Sequence, residues 1–282
     1  MNGYKNFKAP LDCLNSQSFF MKILTSFIYF IAVGILFFMN NDVAAQPKHY
    51  TVANAHSHND YEQDTPFYKA YNAGFGSIEA DIFLVKGKLI VAHDIGELQK
   101  NRSLEDYYIK PLLAFVEKNK GRPYNDKHRI LQMLIDVKSA AVITLDSLIA
   151  VLKRFPPLIS NKTIQWVISG NRPPDSTFNN YPSFIWFDGI LSKDYSSAAL
   201  QKIVMMSDDF KNYHTFGNDG QVSVTSYKLI NAIMKAHKAG KKVRFWDAPD
   251  NASAWLAFMR LGVDFINTDK IDELANFLKA AH

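Results

Sequence analysis

Short apolar runs alternate with amphipathic stretches along most of the chain, and the two patterns predict different elements. Short runs rich in β-branched and aromatic residues predict strands, and longer stretches with apolar positions three or four apart predict helices. Strands are predicted at residues 50–55, 77–84, 130–137, 164–168, 184–189, 213–216, 242–245 and 265–267, with a hairpin partner at 88–92. Helices are predicted at residues 65–71, 104–119, 145–154, 196–206, 226–239, 252–261 and 274–281. Eight strands with helices on the return path predict an α/β protein with a single-domain, TIM-type parallel (β/α)₈ barrel.

Residues 1–45 do not fit this alternation and carry a different signal. Lys22 precedes the apolar run 23–39, and the small residues 43–45 follow after a short polar stretch. This order is typical of a secretory signal peptide, with Met21 as the natural start and the residues before it as an upstream extension. An uncleaved anchor is the alternative, because the apolar run lies at the lower edge of lengths that span a bilayer. Cleavage would leave residues 46–282 as an exported barrel, periplasmic or secreted.

Charge and cysteine content exclude several classes of partner and site. The formal net charge is +5, which favours anionic partners. There is no run of five or six basic residues, so the sequence gives little support for nucleic-acid binding. Cys13 is the single cysteine, which excludes an intrachain disulfide and a cysteine-based zinc site. The sequence gives no indication of oligomeric state.

Two carboxylates lie two residues apart in the second predicted barrel strand. Glu79 and Asp81 therefore point to the same face of that strand. Adjacent carboxylates repel each other unless a cation or a proton lies between them, and hard oxygen ligands suit Mg²⁺ or Ca²⁺. The alternative is an ordinary amphipathic strand with one face in water.

The third predicted barrel strand ends in Asp136-Val137-Lys138, which repeats this spacing. A charge after a long apolar run is costly to bury unless it is paired or bound to a metal. Asp136 is therefore a candidate third carboxylate ligand, and Lys138 is a candidate cation for a phosphate oxygen. A simple salt bridge between the two residues is the alternative.

Histidines follow the first strand and the predicted hairpin. His56 and His58 precede Asn59 after the first strand, and His93 precedes Asp94 after the hairpin. Histidine exchanges protons near neutral pH, so one histidine on each side of a metal-bound phosphate could act as base and acid. A lone histidine is more often structural, but these lie at strand ends that neighbour the carboxylates.

Taken together, these residues resemble the superfamily of glycerophosphodiester phosphodiesterases and phosphatidylinositol-specific phospholipases C. The pattern is a histidine after the first strand, Glu-x-Asp in the second, His-Asp about 14 residues later and an acid two residues before a lysine. The matching residues are His56, Glu79, Asp81, His93, Asp94, Asp136 and Lys138. The local sequence motifs are most similar to those of the sphingomyelinase D branch, because His56 is followed by Asn59 and Trp246 ends the seventh strand. One departure is Ser57, which stands where many members have a phosphate-binding arginine.

This resemblance implies a reaction and assigns roles to the residues. Glu79, Asp81 and Asp136 would bind one divalent cation, Mg²⁺ or Ca²⁺. His56 and His93 would be the base and the acid of a phosphodiester cleavage that passes through a cyclic phosphate. The remaining candidates, all for substrate contacts, are Lys138, Asn59, Trp246 and His58, with His58 also an outside candidate for either catalytic role. The substrate would be a phosphodiester or derive from a phospholipid, with transient contact with a membrane surface.

Two other functions compete with this one. Metal-dependent amidohydrolases also begin with His-x-His, as His56 and His58 do, but they need further histidines after the fifth and sixth strands. Only His214 lies near either place, and the Glu79–Asp81 pair would then be unexplained. The other alternative is a secreted binding protein that has lost catalysis and holds a polar lipid or sugar phosphate in the barrel mouth.

The signal-peptide interpretation predicts that the exported protein begins at Gln46. The small residues at positions 43–45 suit the cleavage enzyme, whereas the polar residues that precede them do not. N-terminal sequencing of the exported protein checks this. Recovery of membrane-bound protein that begins at Met21 or Lys22 would contradict cleavage.

Overall fold

Nine strands and eight α-helices are described by the computed structural model, which covers residue 47, residues 49–213, residue 222 and residues 224–280. The strands are β1 Ala55–Ser57, β2 Ser77–Val85, β3 Lys88–Val91, β4 Leu131–Val137, β5 Ile164–Gly170, β6 Ile185–Ile190, β7 Ile203–Asp209, β8 Lys242–Trp246 and β9 Ile266–Thr268. The helices are α1 Tyr68–Ala73, α2 Lys110–Lys118, α3 Ala141–Leu152, α4 Pro156–Ile159, α5 Ser197–Leu200, α6 Tyr227–Lys238, α7 Ala252–Leu261 and α8 Ile271–Ala280. A π-helical segment, Glu105–Ile109, leads directly into α2.

Eight of these strands are parallel and form a nearly closed barrel. Their order is β8-β7-β6-β5-β4-β2-β1-β9, and β3 pairs antiparallel with β2 as the predicted hairpin. A parallel bridge between Arg244 and Phe265 joins β8 to the residue before β9, across the remaining gap. The predicted single-domain (β/α)₈ barrel is confirmed.

The register of the strands divides the barrel interior into an apolar layer and a polar layer. Leu134 of β4 lies opposite Val167 of β5, and both belong to a small buried apolar cluster with Met205 and Phe265. Two residues further along each strand, on the same face, Asp136 lies opposite Ser169. Polar side chains therefore collect at the carboxyl ends of the strands, where TIM-barrel enzymes carry their chemistry.

Two predicted strands are misplaced, for different reasons. Residues 50–55 were expected to be extended, but Val52–Asn54 forms a 3₁₀ turn that the side chain of Thr51 caps, and the strand begins at Ala55. The sixth barrel strand is Ile203–Asp209, which overlaps the end of the predicted helix at 196–206, and Tyr213, the first residue of the strand predicted there, lies in a turn.

The physical reason for the second error is burial on both faces. A strand covered on both faces has a continuous apolar run without the two-residue period that identifies a strand. Only Ser197–Leu200 is helical in that region, and its helix starts at the Ser196 cap. Tyr213 lies in the turn after the real strand, and residues 214–216 lie outside the described residues.

The described residues contain no helix that is both long enough and apolar enough to span a membrane. The predicted upstream extension and signal peptide, residues 1–45, lie outside the described residues.

Candidate active site

Three carboxylates meet at the carboxyl end of the barrel. Asp81 of β2 lies opposite Asp136 of β4 in the parallel register, and Glu79 is two residues before Asp81 on the same face. One carboxylate oxygen from each residue lies within 4.8 Å of the other two. The sequence predicted this convergence.

Burial leaves two of these oxygens without a partner among the described residues. Glu79 is 2% exposed and Asp81 is 1% exposed, and Oδ1 of both Asp81 and Asp136 makes no hydrogen bond there. A buried carboxylate oxygen without a hydrogen bond is costly unless a cation binds it. Three carboxylates with two free oxygens are a donor set that fits a hard divalent cation such as Mg²⁺ or Ca²⁺.

The protonation of the three acids follows from their neighbours. Burial and the charges of Glu79 and Asp136 raise the pKa of Asp81 to about 7. Burial and the charge of Glu79 also raise the pKa of Asp136. Burial acts on Glu79 in the same direction, but Arg244 and a hydrogen bond to His56 outweigh it, so the pKa of Glu79 lies below its ordinary value. Glu79 therefore carries the permanent negative charge of the cluster.

Lys138 is a second counter-charge in this cluster. Its Nζ lies 3.0 Å from Oδ2 of Asp81 and 3.1 Å from Oδ2 of Asp136. The predicted pairing with Asp136 is present, but the ammonium group bridges two carboxylates rather than one. Because Lys138 also lines the cavity above them, it can reach an anionic ligand there.

His56 lies beneath the cavity, not in it. Its side chain is fully buried, with Nδ1 2.7 Å from Oγ of Ser77 and Nε2 2.7 Å from Oε2 of Glu79. Nη1 of Arg244 lies 2.5 Å from the same Nε2 and 2.9 Å from the same carboxylate oxygen. Burial and the charge of Arg244 lower the pKa of His56 to about 4. The predicted catalytic histidine therefore holds a metal-ligand candidate in place and has no ring nitrogen open to the cavity.

His58 lines the cavity instead. Its Nδ1 lies 2.8 Å from Oδ1 of Asp269, which follows β9, so Nε2 is the nitrogen left for a ligand. Burial lowers the pKa of His58, but the hydrogen bond to Asp269 and the charge of Glu79 outweigh it, and the pKa is raised. The two-residue period of the chain accounts for the difference, because His56 and His58 share a face at two depths of the barrel.

His93 lies beside Asp81, where the hairpin ends. Its side chain is 58% exposed, and its Nδ1 lies 3.6 Å from Oδ2 of Asp81. The same nitrogen lies 3.1 Å from the hydroxyl of Tyr61, which is also 2.7 Å from Oδ2 of Asp81 and from Oδ1 of Asn59. Tyr61 thus connects His93, Asp81 and the substrate-contact candidate Asn59.

These groups line one cavity of about 390 Å³. Trp246, 39% exposed at the end of β8, forms part of its wall. Eight of the nine residues predicted from the sequence line this cavity: His58, Asn59, Glu79, Asp81, His93, Asp136, Lys138 and Trp246. Two histidines, an acid cluster that could hold a cation and a lysine in one cavity can bind a phosphate and exchange protons with it.

Comparisons with known proteins agree with this geometry. A family model described as "AIM6-like phosphodiesterase domain" matches residues 46–158, and one described as "Glycerophosphoryl diester phosphodiesterase family" matches residues 242–272. The first range contains the histidines and the carboxylates, and the second contains Arg244, Trp246 and Asp269. The predicted resemblance to the glycerophosphodiester phosphodiesterase superfamily is confirmed.

Individual relatives carry less functional information than the family models. Altered inheritance of mitochondria protein 6 of Eremothecium gossypii is 28% identical over 270 residues, which cover 79% of this chain and 68% of that protein. The homolog of Altered inheritance of mitochondria protein 6 in Arthroderma benhamiae is 26% identical over 255 residues, covering 77% and 81%. A crystal structure of a glycerophosphodiester phosphodiesterase from Parabacteroides distasonis superposes with a TM-score of 0.54 at 15% identity, covering 81% of this chain and 97% of that one. This likeness concerns the fold alone.

Three contributors to the site were missed from the sequence. Arg244 and Asp269 are distant from the main motifs along the chain, and their partners across the barrel could not be inferred. Tyr61 follows the polar cluster after the first strand. Its neighbour Asp60 is fully buried and accepts hydrogen bonds from Ser57 and Tyr108. The compact polar run His-Ser-His-Asn-Asp-Tyr was the one signal that could have indicated Tyr61.

Gly170 provides a test of the carboxylate cluster. It has φ +65°, and a Cβ there would lie 1.9 Å from Oδ1 of Asp136 and 2.7 Å from the carbonyl oxygen of Val137. We expect Gly170→Ala to displace the Asp136 carboxylate and to weaken the binding of Mg²⁺ or Ca²⁺ by about 10- to 100-fold, the usual effect of disturbing a ligand's support. Isothermal titration calorimetry with each cation measures this.

Gly121→Ala is the matched control, because Gly121 has φ +89° and a Cβ there would meet no atom of the described residues within 4 Å. It carries the same backbone strain without the contact to a carboxylate. Equal cation affinity in wild type and Gly170→Ala, or equal losses in both variants, would contradict the role given to Asp136.

Proposed function

We propose that this protein is a divalent-cation-dependent phosphodiesterase that cleaves a glycerophosphodiester or the phosphodiester of a phospholipid head group. The observation that carries the proposal is the convergence of Glu79, Asp81 and Asp136 within 4.8 Å, with two unpaired buried oxygens, in a cavity that His58 and His93 also line. These residues line one cavity, so the groups that would bind a cation lie near the groups that would transfer protons. The superfamily resemblance supplies the class of bond.

Charge neutralisation is the first requirement for displacement at phosphorus. A cation held by the three carboxylates would act as a Lewis acid toward the phosphoryl oxygens. Lys138 adds a positive charge at the same end of the barrel, where it can stabilise the charge that develops on the phosphate. Arg244 and His56 hold one oxygen of Glu79 from below, which would leave the other oxygen for the cation.

Proton transfer is the second requirement, and His58 and His93 divide it. His58 pairs with Asp269, which favours the protonated ring, so we assign it as the acid that protonates the leaving oxygen from Nε2. His93 takes the proton of the attacking substrate hydroxyl at its own Nε2, while its Nδ1 faces Tyr61. The oxygen–phosphorus bond that forms closes a cyclic phosphate, and the bond to the leaving alcohol breaks.

Neither competing function gains support from an observation. An amidohydrolase would use His56 and His58 as ligands of one metal, but His56 points to Ser77 and Glu79 while His58 points to Asp269. A binding protein without catalysis has no need of two histidines in the same cavity as an acid cluster. Export through the signal peptide and transient contact with a membrane surface stay predictions of the sequence.

Cation dependence separates the three functions in one assay. We expect release of alcohol from a panel of glycerophosphodiesters and lysophospholipids when Mg²⁺ or Ca²⁺ is present. Excess EDTA should abolish it because it removes the Lewis acid that would act on the phosphoryl oxygens. Chromatography of the products also detects any cyclic phosphate. Activity that survives EDTA, or cleavage of amides but not of phosphodiesters, would contradict the proposal, and ligand binding without turnover would support the binding protein.

The histidine assignment predicts that substitution of either His58 or His93 lowers turnover. His58→Ala and His93→Ala should each lower kcat by about 10²–10⁴-fold with little change in cation affinity, since each removes one proton transfer. The double variant should lose much less than the product of the two factors, because both groups serve one transition state. Steady-state kinetics at saturating cation, with calorimetry for cation affinity, measures both effects.

His56 is the internal comparison for this prediction. Because it supports Glu79, His56→Ala should weaken cation binding, and His56→Gln should restore part of it by reaching the same carboxylate oxygen. If His56→Ala abolishes turnover at full cation occupancy while His58→Ala leaves kcat intact, the base or acid is His56 and our assignment fails.

A further inference from the structure

A second and larger cavity opens beside the carboxylate cavity. Its volume is about 890 Å³, and it shares four lining residues with the smaller one: Lys138, Gly170, Arg172 and Ile190. Its other walls come from the segments that follow β4, β5 and β6. Its described lining residues include no carboxylate cluster, so we do not place the cleavage of the phosphodiester there. Its volume lies within the range of cavities that hold small ligands.

The charges around this second cavity are predominantly positive. Lys138, Arg172 and Lys193 line it, and Asp175 is the one carboxylate among the described lining residues. Asp175 forms an ion pair of 2.9 Å with Lys193, and the charge of Lys138 is matched by the carboxylates of the smaller cavity. Within this described lining, Arg172 is left as the cation without an opposite charge.

Arg172 has donors to spare at the boundary between the two cavities. It is half-buried, and its Nη1 donates to the backbone carbonyl of Asp188. No carboxylate of the described residues lies within 4.0 Å of the Arg172 guanidinium, the limit for an ion pair. The positive charge of Arg172 does act on the buried Asp188, where it opposes the rise in pKa that burial causes. A guanidinium group has five N–H donors, and half-burial without an anion is unfavourable. An anionic ligand would satisfy it.

The start of helix α3 adds to the same positive region. Ala140 and Ala141 line the second cavity, and Ala140 provides no side-chain cap for this 12-residue helix. The first backbone N–H groups of a helix carry a partial positive charge. This partial charge adds to the positive charge of the Arg172 guanidinium group.

We propose that the second cavity binds the part of the substrate that extends beyond the scissile phosphate, and that Arg172 selects diesters that carry an anionic substituent there, such as a second phosphate. The proposal rests on the proposed phosphodiesterase function. With the scissile phosphate over the carboxylates, this part of the substrate extends past Ile190 into the larger cavity. Arg172 then pairs with the anion through donors that no group of the described residues uses.

A matched pair of substrates tests this selection. Glycerophosphoglycerol and the same diester with a phosphate on its terminal hydroxyl differ only in the anion. We expect wild type to prefer the phosphorylated diester, and Arg172→Gln to lower the ratio of the two kcat/KM values by about 10- to 100-fold, the loss of one charge-assisted hydrogen-bond pair. Arg172→Lys should restore part of the ratio, and Arg260→Gln, an exposed arginine of α7, should not change it.

A binding measurement keeps this inference separate from the reaction itself. We expect calorimetry with glycerol 3-phosphate in EDTA to show binding to wild type that glycerol does not show and that Arg172→Gln loses, with circular dichroism to check folding. That result supports the cavity assignment even if no diester is cleaved, in which case the proposed function alone fails. Equal losses for both diesters in Arg172→Gln, no preference in wild type, or glycerol 3-phosphate binding that persists in Arg172→Gln would overturn the inference.

Discussion

Three carboxylates held together out of water form the constraint on which the rest of this structure depends. Like charges at this separation repel strongly, and burial removes the water that would screen them. The protein places Arg244 and Lys138 against them, on β8 and directly after β4. Arg244 reaches Glu79 across the barrel interior, so the contact requires a nearly closed sheet. The acid cluster and the closed barrel are therefore coupled, and a divalent cation would add the charge that the protein side chains leave unmatched.

Depth within the barrel decides which polar side chains contact other protein groups and which face the cavity. Side chains two apart along a strand share a face but lie at different heights, so the lower one meets protein and the upper one meets the cavity. His56 contacts Ser77 and Glu79 below, and His58 contacts Asp269 above, where a ligand can reach it. Removing the lower histidine would leave the buried Glu79 carboxylate with Arg244 but without its second partner, which is a different kind of damage from removing a proton donor. The two histidines lie two residues apart in the sequence and make entirely different contacts.

In the proposed function, the two adjoining cavities would separate bond cleavage from the choice of substrate. The smaller one concentrates negative charge and proton donors, and the larger one presents cations on the segments after β4, β5 and β6. Loops at the carboxyl ends of barrel strands can change without altering the strands themselves, so such a division lets one chemistry serve many substrates. The absence of an arginine after His56 fits this arrangement, because Arg172 brings a guanidinium group to the cavity from another strand end.

The sequence by itself determined the barrel, the carboxylates and most of the residues around them, because these lie in local patterns. Period-two spacing puts Glu79 and Asp81 on one face, and the apolar run before Asp136 identifies a buried strand end. It did not determine β7, whose burial on both faces removes that period, or the separate depths of His56 and His58. The contacts of Arg244 with Glu79, Asp269 with His58, and Arg172 with both cavities needed the tertiary structure. Those partners are far apart along the chain and meet only because the barrel closes, which no local pattern encodes.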